Sequence, residues 1–362
     1  GGLLAFYASA LDRRIQSTLV SGYFEPREGI WKEPVYRNLW GLLREFGDAE
    51  IASLIAPRHL TIEASQTVEV AGPPVARKGR RASAAPGRIR TPSLSSVREE
   101  FERATGHYFY LGEAENLQLV VSGANGRGPA GSPQALQKFL TGLGIVEKSP
   151  SKPGSAMIKP AAGFGQSLDQ GSDWVTRRQY RQLKQLQDHA QKLMQGSFRV
   201  RDRKWQVDRS SLMAWQPHAE RFRLEVHEEV IGRINQPRLA PNARTRRILE
   251  TEYYIGYEVM LDVFPDVIAG GILLLPKTLR AGERRPVVVC QHGLEGMAQD
   301  TMKKDADAFR YYKGFADELC RRGFIVYAPQ NPYRGNDRFR VIQRMANPVQ
   351  RSLFSFIVAQ HE

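Results

Sequence analysis

Hydrophobic and polar residues alternate in blocks that predict helices and strands in turn along most of the chain. In the first 147 residues, apolar positions at helical spacing predict helices over residues 3–11, 97–110 and 132–143. Short apolar runs between them predict strands over residues 15–21, 58–64 and 117–122. Helices that alternate with strands are typical of a parallel sheet, so the predicted fold class is α/β.

The last part of the chain repeats this alternation. Strands are predicted over residues 253–263, 268–275, 285–290 and 324–328, and helices over residues 309–322 and from 352 onwards. The run at 285–290 (RPVVVC) is continuously apolar, which is typical of a strand buried on both faces of a parallel sheet. We therefore expect 285–290 and 324–328 to be parallel neighbours joined by the 309–322 helix.

The composition between these two regions predicts the domain boundaries. Residues 148–171 are rich in Pro, Gly, Ser and Lys without apolar periodicity, which indicates a linker. Residues 172–250 are polar with one apolar stripe at helical spacing, and we predict a helical extension there. The stripe consists of Tyr180, Leu183, Leu186, Ala190, Leu193 and Met194. Domains are thus expected at residues 1–147 and 251–362.

The charge pattern and the apolar runs limit the kinds of partner that we expect, and the cysteine content limits disulfide and metal chemistry. The formal net charge is +14, but between Asp173 and Glu250 the 17 Lys/Arg are interleaved with 9 Asp/Glu, as on a solvated surface, so we expect no nucleic-acid partner. The longest apolar runs fall short of the roughly 18 residues of a membrane span, and no membrane partner is expected. Cys290 and Cys320 are expected to be buried thiols. Neither a metal nor a cofactor is predicted.

The motif with the most chemical content is Gln291-His292-Gly293-Leu294, directly after the RPVVVC strand. A glycine turn at this position can direct backbone N–H groups towards a substrate oxyanion. The alternative interpretation is an ordinary turn from strand to loop.

Taken with its context, this motif resembles part of a known family. Residues 253–362 resemble the N-terminal half of α/β-hydrolases of the dienelactone hydrolase and acetyl xylan esterase type. At the front of the chain, residues 1–5 (GGLLA) resemble the segment just after the nucleophile, and residues 54–58 (LIAPR) resemble the lead-in to the strand near the catalytic acid. The resemblance thus implies two hydrolase halves in swapped order. A stretch spanning two tandem hydrolase domains and a circular permutant both explain this order, and we favour the tandem arrangement.

The resemblance implies a serine carboxylic ester hydrolase acting on a small-molecule or carbohydrate ester. The amides of Gly293 and Leu294 would hold the oxyanion, and Glu63, with Glu69 as second choice, would be the catalytic acid. The nucleophile motif Gly-x-Ser-x-Gly is absent from the sequence, and residues 123–128 contain no histidine where the family has its base. His59 and His107 are expected to be structural. We therefore predict that the chain is inactive as it stands, and the alternative is a non-catalytic binding or structural module.

The resemblance also predicts a defect in the sheet, because the family places the nucleophile strand between the counterparts of residues 285–290 and 15–21. Without that strand the two halves are expected to form separate sheets or one imperfectly closed sheet. Loose packing is expected around residues 3–11.

Overall fold

A computed structural model describes residues 1–72, 86–145, 173–294, 296–334 and 339–362. The chain divides into two compact units, one formed by Gly1–Ile145 with His227–Glu362 and the other by Val146–Val226. The predicted linker at 148–171 lies outside the described residues. Within the described parts, no helix is long and apolar enough to cross a membrane.

The first sheet belongs to the N-terminal part of the larger unit. Its strands β1 (Ser17–Ser21), β2 (His59–Ala64) and β3 (Leu117–Val121) lie in the order β1-β2-β3 and are parallel throughout, as predicted. The helices of this part are α1 (Gly2–Leu11), α2 (Leu42–Glu45), α3 (Asp48–Ser53), α4 (Leu94–Tyr110) and α5 (Pro133–Thr141). Ser132 caps α5 by accepting a hydrogen bond from the Ala135 N–H, which confirms the predicted start of that helix.

The core against this sheet is well packed at α1. Phe6 has no exposed surface, and its ring meets Phe24 edge-on with the ring centroids 5.6 Å apart. Ser9 is also fully buried and accepts a hydrogen bond from Thr18 Oγ1 on β1. The loose packing expected around residues 3–11 is therefore not found on the side of Phe6 and Ser9, whereas Leu4 and Leu11 of the same helix are exposed.

The second sheet is mixed. Its strands are β4 (Arg244–Glu250), β5 (Tyr254–Phe264), β6 (Val267–Pro276), β7 (Val287–Val289) and β8 (Ile325–Gln330), in the order β4-β5-β6-β8-β7. β5, β6 and β8 are successively antiparallel, whereas β7 and β8 are parallel. The predicted side-by-side parallel pairing of the 285–290 and 324–328 segments is thus confirmed, although β7 is shorter than predicted.

Strand β4 corrects the prediction of a helical extension up to residue 250. Its sequence, RTRRILE, places charges on both faces and lacks the period-two alternation that identifies a half-buried strand. It forms because its backbone pairs antiparallel with β5, and nearly all of its side chains are exposed. Edge strands of this kind are often rich in charge.

The connection between β7 and β8 is two helices rather than the single predicted one. α8 (Ala306–Tyr312) and α9 (Phe315–Arg321) are separated by Lys313 and Gly314, which are both in the left-handed region with φ of 56° and 64°. Two successive left-handed residues end a right-handed helix, and only glycine adopts that conformation without steric cost.

A compact cluster underlies β8. Val326, Ala328 and Leu274 have no exposed surface, and both cysteines are buried beside them. The expectation of buried thiols is confirmed, and burial raises the pKa of Cys290 to about 11.

The remaining helices of the larger unit are α10 (Phe339–Ala346) and α11 (Leu353–His361). The two sheet-bearing parts of this unit meet near α10. Asn38 Nδ2 donates a hydrogen bond to the Arg344 carbonyl at 2.9 Å, and the Gly41 N–H donates to the Asn347 carbonyl at 2.8 Å.

The smaller unit contains α6 (Asp173–Lys204) and α7 (Leu212–Glu225). Trp205, just after α6, stacks on Phe222 of α7 with the ring centroids 4.4 Å apart. None of the residues of α6 is buried. The apolar stripe predicted at 180–194 thus lies on a helix, and the part of the chain that the structure describes leaves it exposed.

Candidate active site

The carboxyl ends of β7 and β8 are tied together by His292. Its side chain is 3% exposed, and its Nε2 atom accepts a hydrogen bond from the Asn331 N–H at 3.1 Å. Its Nδ1 atom lies 2.7 Å from the Gly293 carbonyl oxygen, which can only accept. Nδ1 therefore carries the proton and Nε2 supplies the lone pair. Because both nitrogens have partners, His292 holds the two loops in place and is not available as a general base.

The Gly293 amide, predicted to hold an oxyanion, already has a partner. It donates a hydrogen bond to Tyr312 Oη, at the end of α8, at 3.0 Å. The Leu294 side chain is 68% exposed, and the turn brings the Gly296 N–H to the Gly293 carbonyl at 3.1 Å. An oxyanion could reach the Gly293 N–H only by displacing the Tyr312 hydroxyl.

Glycine at this turn is needed for the close approach of Tyr312. A Cβ atom at Gly296 would collide with Tyr312 Oη, and one at Gly293 would stand 3.4 Å from the same oxygen. Neither glycine has a positive φ. The sharp fold of the backbone is thus not what requires glycine here.

Glu63, the predicted catalytic acid, is the penultimate residue of β2 and is 1% exposed. Its carboxylate accepts hydrogen bonds from Ser21 Oγ at 2.5 Å and from the Gly131 and Ser132 N–H groups, both at 2.8 Å. Burial opposes the charge, but the hydrogen bonds from Ser132, Ser21 and Gly131 outweigh it and lower the pKa of Glu63. The carboxylate is therefore ionised at neutral pH and holds the start of α5.

The second-choice acid, Glu69, is a half-exposed loop residue that accepts a hydrogen bond from the Thr91 N–H at 3.1 Å. That hydrogen bond lowers the pKa of Glu69. The partners of Glu63 and Glu69 found in the described part of the chain include no histidine, and an acid without one cannot orient a base.

Sequence reasoning missed a second histidine beside Asn331. His361, at the end of α11, has Nε2 3.3 Å from Asn331 Oδ1. Burial and the proximity of His292 lower the pKa of His361. Asn331 Nδ2 also donates to Tyr333 Oη at 2.9 Å, so Asn331 connects both histidines to an aromatic side chain. The contact joins residues far apart in the chain, and no local motif marks it.

A cavity of about 940 Å³ opens beside Gln330, Asn331 and Tyr333 over the face of β4, β5 and β6. Its wall is mostly apolar, with Met297, Met302 and side chains of the three strands. A second cavity of about 590 Å³ lies between Gly293, Leu294 and Tyr312. Among the described residues, no group of three or more His, Cys, Asp or Glu side chains is placed to hold a metal ion.

Comparison with known proteins gives distant structural likeness alone. No family model matches the chain, and no curated protein matches its sequence. The structure is similar to a crystal structure from Bacteroides fragilis of a protein provisionally described as an acetyl xylan esterase, with a TM-score of 0.34 and 18% sequence identity. The likeness covers 42% of this chain and 43% of that one, so it spans less than half of either protein.

Proposed function

We propose that the chain is built on the scaffold of a serine carboxylic ester hydrolase, of the acetyl xylan esterase or dienelactone hydrolase type, that binds a small-molecule or carbohydrate ester. The observation that best supports this proposal is the parallel pair β7 and β8, with the turn at His292 and Gly293 directly after β7. The carboxyl ends of parallel strands are where open α/β sheets bind their ligands. The apolar cavity beside Asn331 supplies room for an ester at that edge.

In this proposal the serine nucleophile comes from outside the 362 residues. The sequence has no Gly-x-Ser-x-Gly, whose strained turn exposes the serine oxygen and contributes an N–H to the oxyanion hole. In the described part of the chain, β1 and β7 are each paired along one side alone. A nucleophile strand would pair with both of these strands, as the family resemblance implies.

The swapped order of the halves belongs to the same proposal. We infer that residues 1–147 hold a C-terminal half of the family's fold and residues 251–362 an N-terminal half, with α6 and α7 between them in the sequence and β4 joined to the second sheet. The two separate sheets, with β1 an outer strand of one and β7 an outer strand of the other, support this division. The tandem origin is favoured over a circular permutant because a native permutant would keep its nucleophile motif.

The alternative is a non-catalytic module that keeps the hydrolase scaffold. Two observations favour it. Glu63 is fully engaged by Ser21 and the start of α5, and the Gly293 amide is engaged by Tyr312. Both groups stabilise the fold through these hydrogen bonds.

The test is to supply the nucleophile. We expect the 362-residue chain to hydrolyse p-nitrophenyl acetate no faster than an unrelated protein of similar charge. An extension after Glu362 that carries an apolar strand, a Gly-x-Ser-x-Gly turn and a histidine base should produce hydrolysis, and a Ser→Ala version of that turn is the matched control. An extended chain that incorporates the strand, as seen in its hydrogen-exchange protection, and remains inactive would favour the non-catalytic module.

A further inference from the structure

Helix α6 carries an apolar face that the described residues leave exposed. Between residues 177 and 200 the exposed fractions of the larger apolar side chains range from 48% for Phe198 to 70% for Met194. These side chains, with Ala190, occupy one side of the helix: Tyr180, Leu183, Leu186, Leu193, Met194, Phe198 and Val200. At 100° per residue they cover an arc of roughly 160°.

The opposite side of the same segment is basic. Residues 177–200 contain six Lys or Arg and one acidic residue, Asp188, which pairs with Lys184. All six basic residues lie outside the apolar arc: Arg177, Arg178, Arg181, Lys184, Lys192 and Arg199. The segment is thus about 36 Å of helix with an apolar side, a cationic side and a net charge of +5.

The polar residues inside the apolar arc are few and uncharged. Gln179, Gln182 and Gln187 lie within it or at its margin. Ser197 also lies there, but its hydroxyl donates to the Met194 carbonyl at 2.7 Å and is satisfied within the helix. The charged residues Arg201 and Lys204 come only after this segment, where Lys204 pairs with Glu225 of α7.

We propose that residues 177–200 of α6 dock along the surface of an anionic lipid bilayer, with the apolar arc inserted at the boundary between headgroups and acyl chains. A strong division into apolar and polar sides, with Lys and Arg on the polar side, is the pattern of helices that lie in the membrane interface. The expectation of no membrane partner rested on the lack of a spanning run, and a helix lying along the surface needs none.

The charge of α6 and the width of its apolar arc favour a lipid bilayer over a second copy of the chain as the partner of this face. Two α6 helices facing each other would bring two segments of charge +5 together, whereas an anionic surface attracts both the segment and the +14 chain. A two-helix contact also uses a narrow seam, and an arc of roughly 160° leaves much of its apolar area outside such a seam.

The direct test is co-sedimentation of the full 362-residue chain with vesicles of phosphatidylglycerol and phosphatidylcholine in equal parts, and with vesicles of phosphatidylcholine alone. We expect binding to the anionic vesicles, weakened by raising the salt from about 0.1 M to 0.5 M, and at least tenfold weaker binding to the neutral ones. Absence of binding to the anionic vesicles would overturn the proposal.

Two variants separate the apolar arc from charge. The triple variant Leu183→Gln, Leu186→Gln, Leu193→Gln retains good helix formers and should lose at least tenfold in vesicle affinity. Gln185→Ala, Gln191→Ala, Gln195→Ala changes the polar side to the same extent and should bind like the wild type. If the leucine variant binds like the wild type, charge alone accounts for binding and the docking mode is wrong.

The remaining outcomes identify other occupants of the arc. A wild-type dimer in light scattering that the leucine variant abolishes would show that a second copy covers the arc. A lower melting temperature of the leucine variant without lipid would show that the chain itself covers it. Either result overturns the proposal.

A third variant keeps the test valid if the leucine variant fails to fold. The triple variant Arg178→Gln, Arg181→Gln, Lys192→Gln should bind anionic vesicles more weakly than the wild type.

Discussion

Glu63 illustrates how a buried carboxylate at a position expected to be catalytic can serve the fold. Both of its oxygens accept hydrogen bonds, one from Ser132 and the other from Ser21 and Gly131. These donors favour the ionised form, so the folded-state pKa of Glu63 is lowered. A carboxyl with a lowered pKa stabilises the fold above its unfolded pKa of about 4.3, and this contribution is lost as the pH falls through the folded-state pKa.

The lowered pKa of Glu63 predicts that the effect of Glu63→Gln on stability depends on pH. At pH 7 we expect the free energy of unfolding to fall by about 2 kcal/mol, because a neutral amide replaces a charged acceptor of three hydrogen bonds. The difference from wild type should shrink when the pH is lowered below about 4. Urea unfolding at the two pH values measures it, with Glu69→Gln as the half-exposed control. A difference that grows on acidification would contradict the assignment.

The turn after β7 is likewise determined by one close approach, that of Tyr312 to Gly293 and Gly296. Gly296→Ala should lower the free energy of unfolding by about 1–3 kcal/mol, because the added methyl group collides with the Tyr312 hydroxyl and displaces it from the Gly293 N–H. In the Tyr312→Phe background the same change should cost less. A double-mutant cycle by chemical unfolding measures the coupling, and strictly additive effects would show that Tyr312 does not determine the requirement for glycine.

At the scale of elements, the apolar strands were the most predictable part, and the antiparallel β5 and β6 match their predicted bounds as closely as the parallel strands do. Apolar runs between helical patterns mark the segments of β1, β2 and β3 and of the pair β7 and β8 in the sequence. β4 could not be predicted, because it is held by backbone pairing with β5 and by the ion pairs Arg244–Asp262 and Arg246–Glu258, and neither leaves an apolar alternation in its sequence.

Contacts between distant residues set the other limit of prediction. The break at Lys313 depends on a left-handed lysine that no local pattern requires. The contacts of Tyr312 with Gly293 and of His361 with Asn331 form only when separate elements are brought together. The position of the glycine turn could therefore be read from the sequence, and its occupancy by Tyr312 could not.

The outer strand β7 gives a prediction at this scale. Val287 and Val289 are 58% and 57% exposed on an edge strand that pairs with β8 on one side and with no described strand on the other. Such an edge is a template for strand pairing between molecules, and lysines on it block that pairing. We expect Val287→Lys, Val289→Lys to reduce the rise of sedimentation coefficient with protein concentration.

The control for this prediction is Ile268→Lys, on the internal strand β6. It removes a comparably exposed apolar side chain, 47% exposed, away from the edge, and should leave the association unchanged. Equal effects of the edge and internal changes would show that general apolar exposure, not strand pairing, drives association.

At the scale of the whole molecule, the two sheets form without the nucleophile turn that the proposed function requires. β1 and β7 are outer strands in the described structure, Glu63 and Gly293 are engaged by internal partners, and the sequence has no nucleophile turn. A serine outside such a turn keeps its proton and is a poor nucleophile at neutral pH. On the proposed hydrolase scaffold, we therefore expect no activated serine within the 362 residues.

Labelling of the 362-residue chain with a fluorophosphonate probe, followed by mass spectrometry of its peptides, tests this claim most directly. The probe reacts with a serine only where a base and an oxyanion site activate it. We predict labelling no greater than that of an unrelated protein of similar charge, with and without prior heat denaturation. Stoichiometric labelling of one serine in the folded chain, lost on denaturation, would contradict the account and place a working nucleophile within these residues.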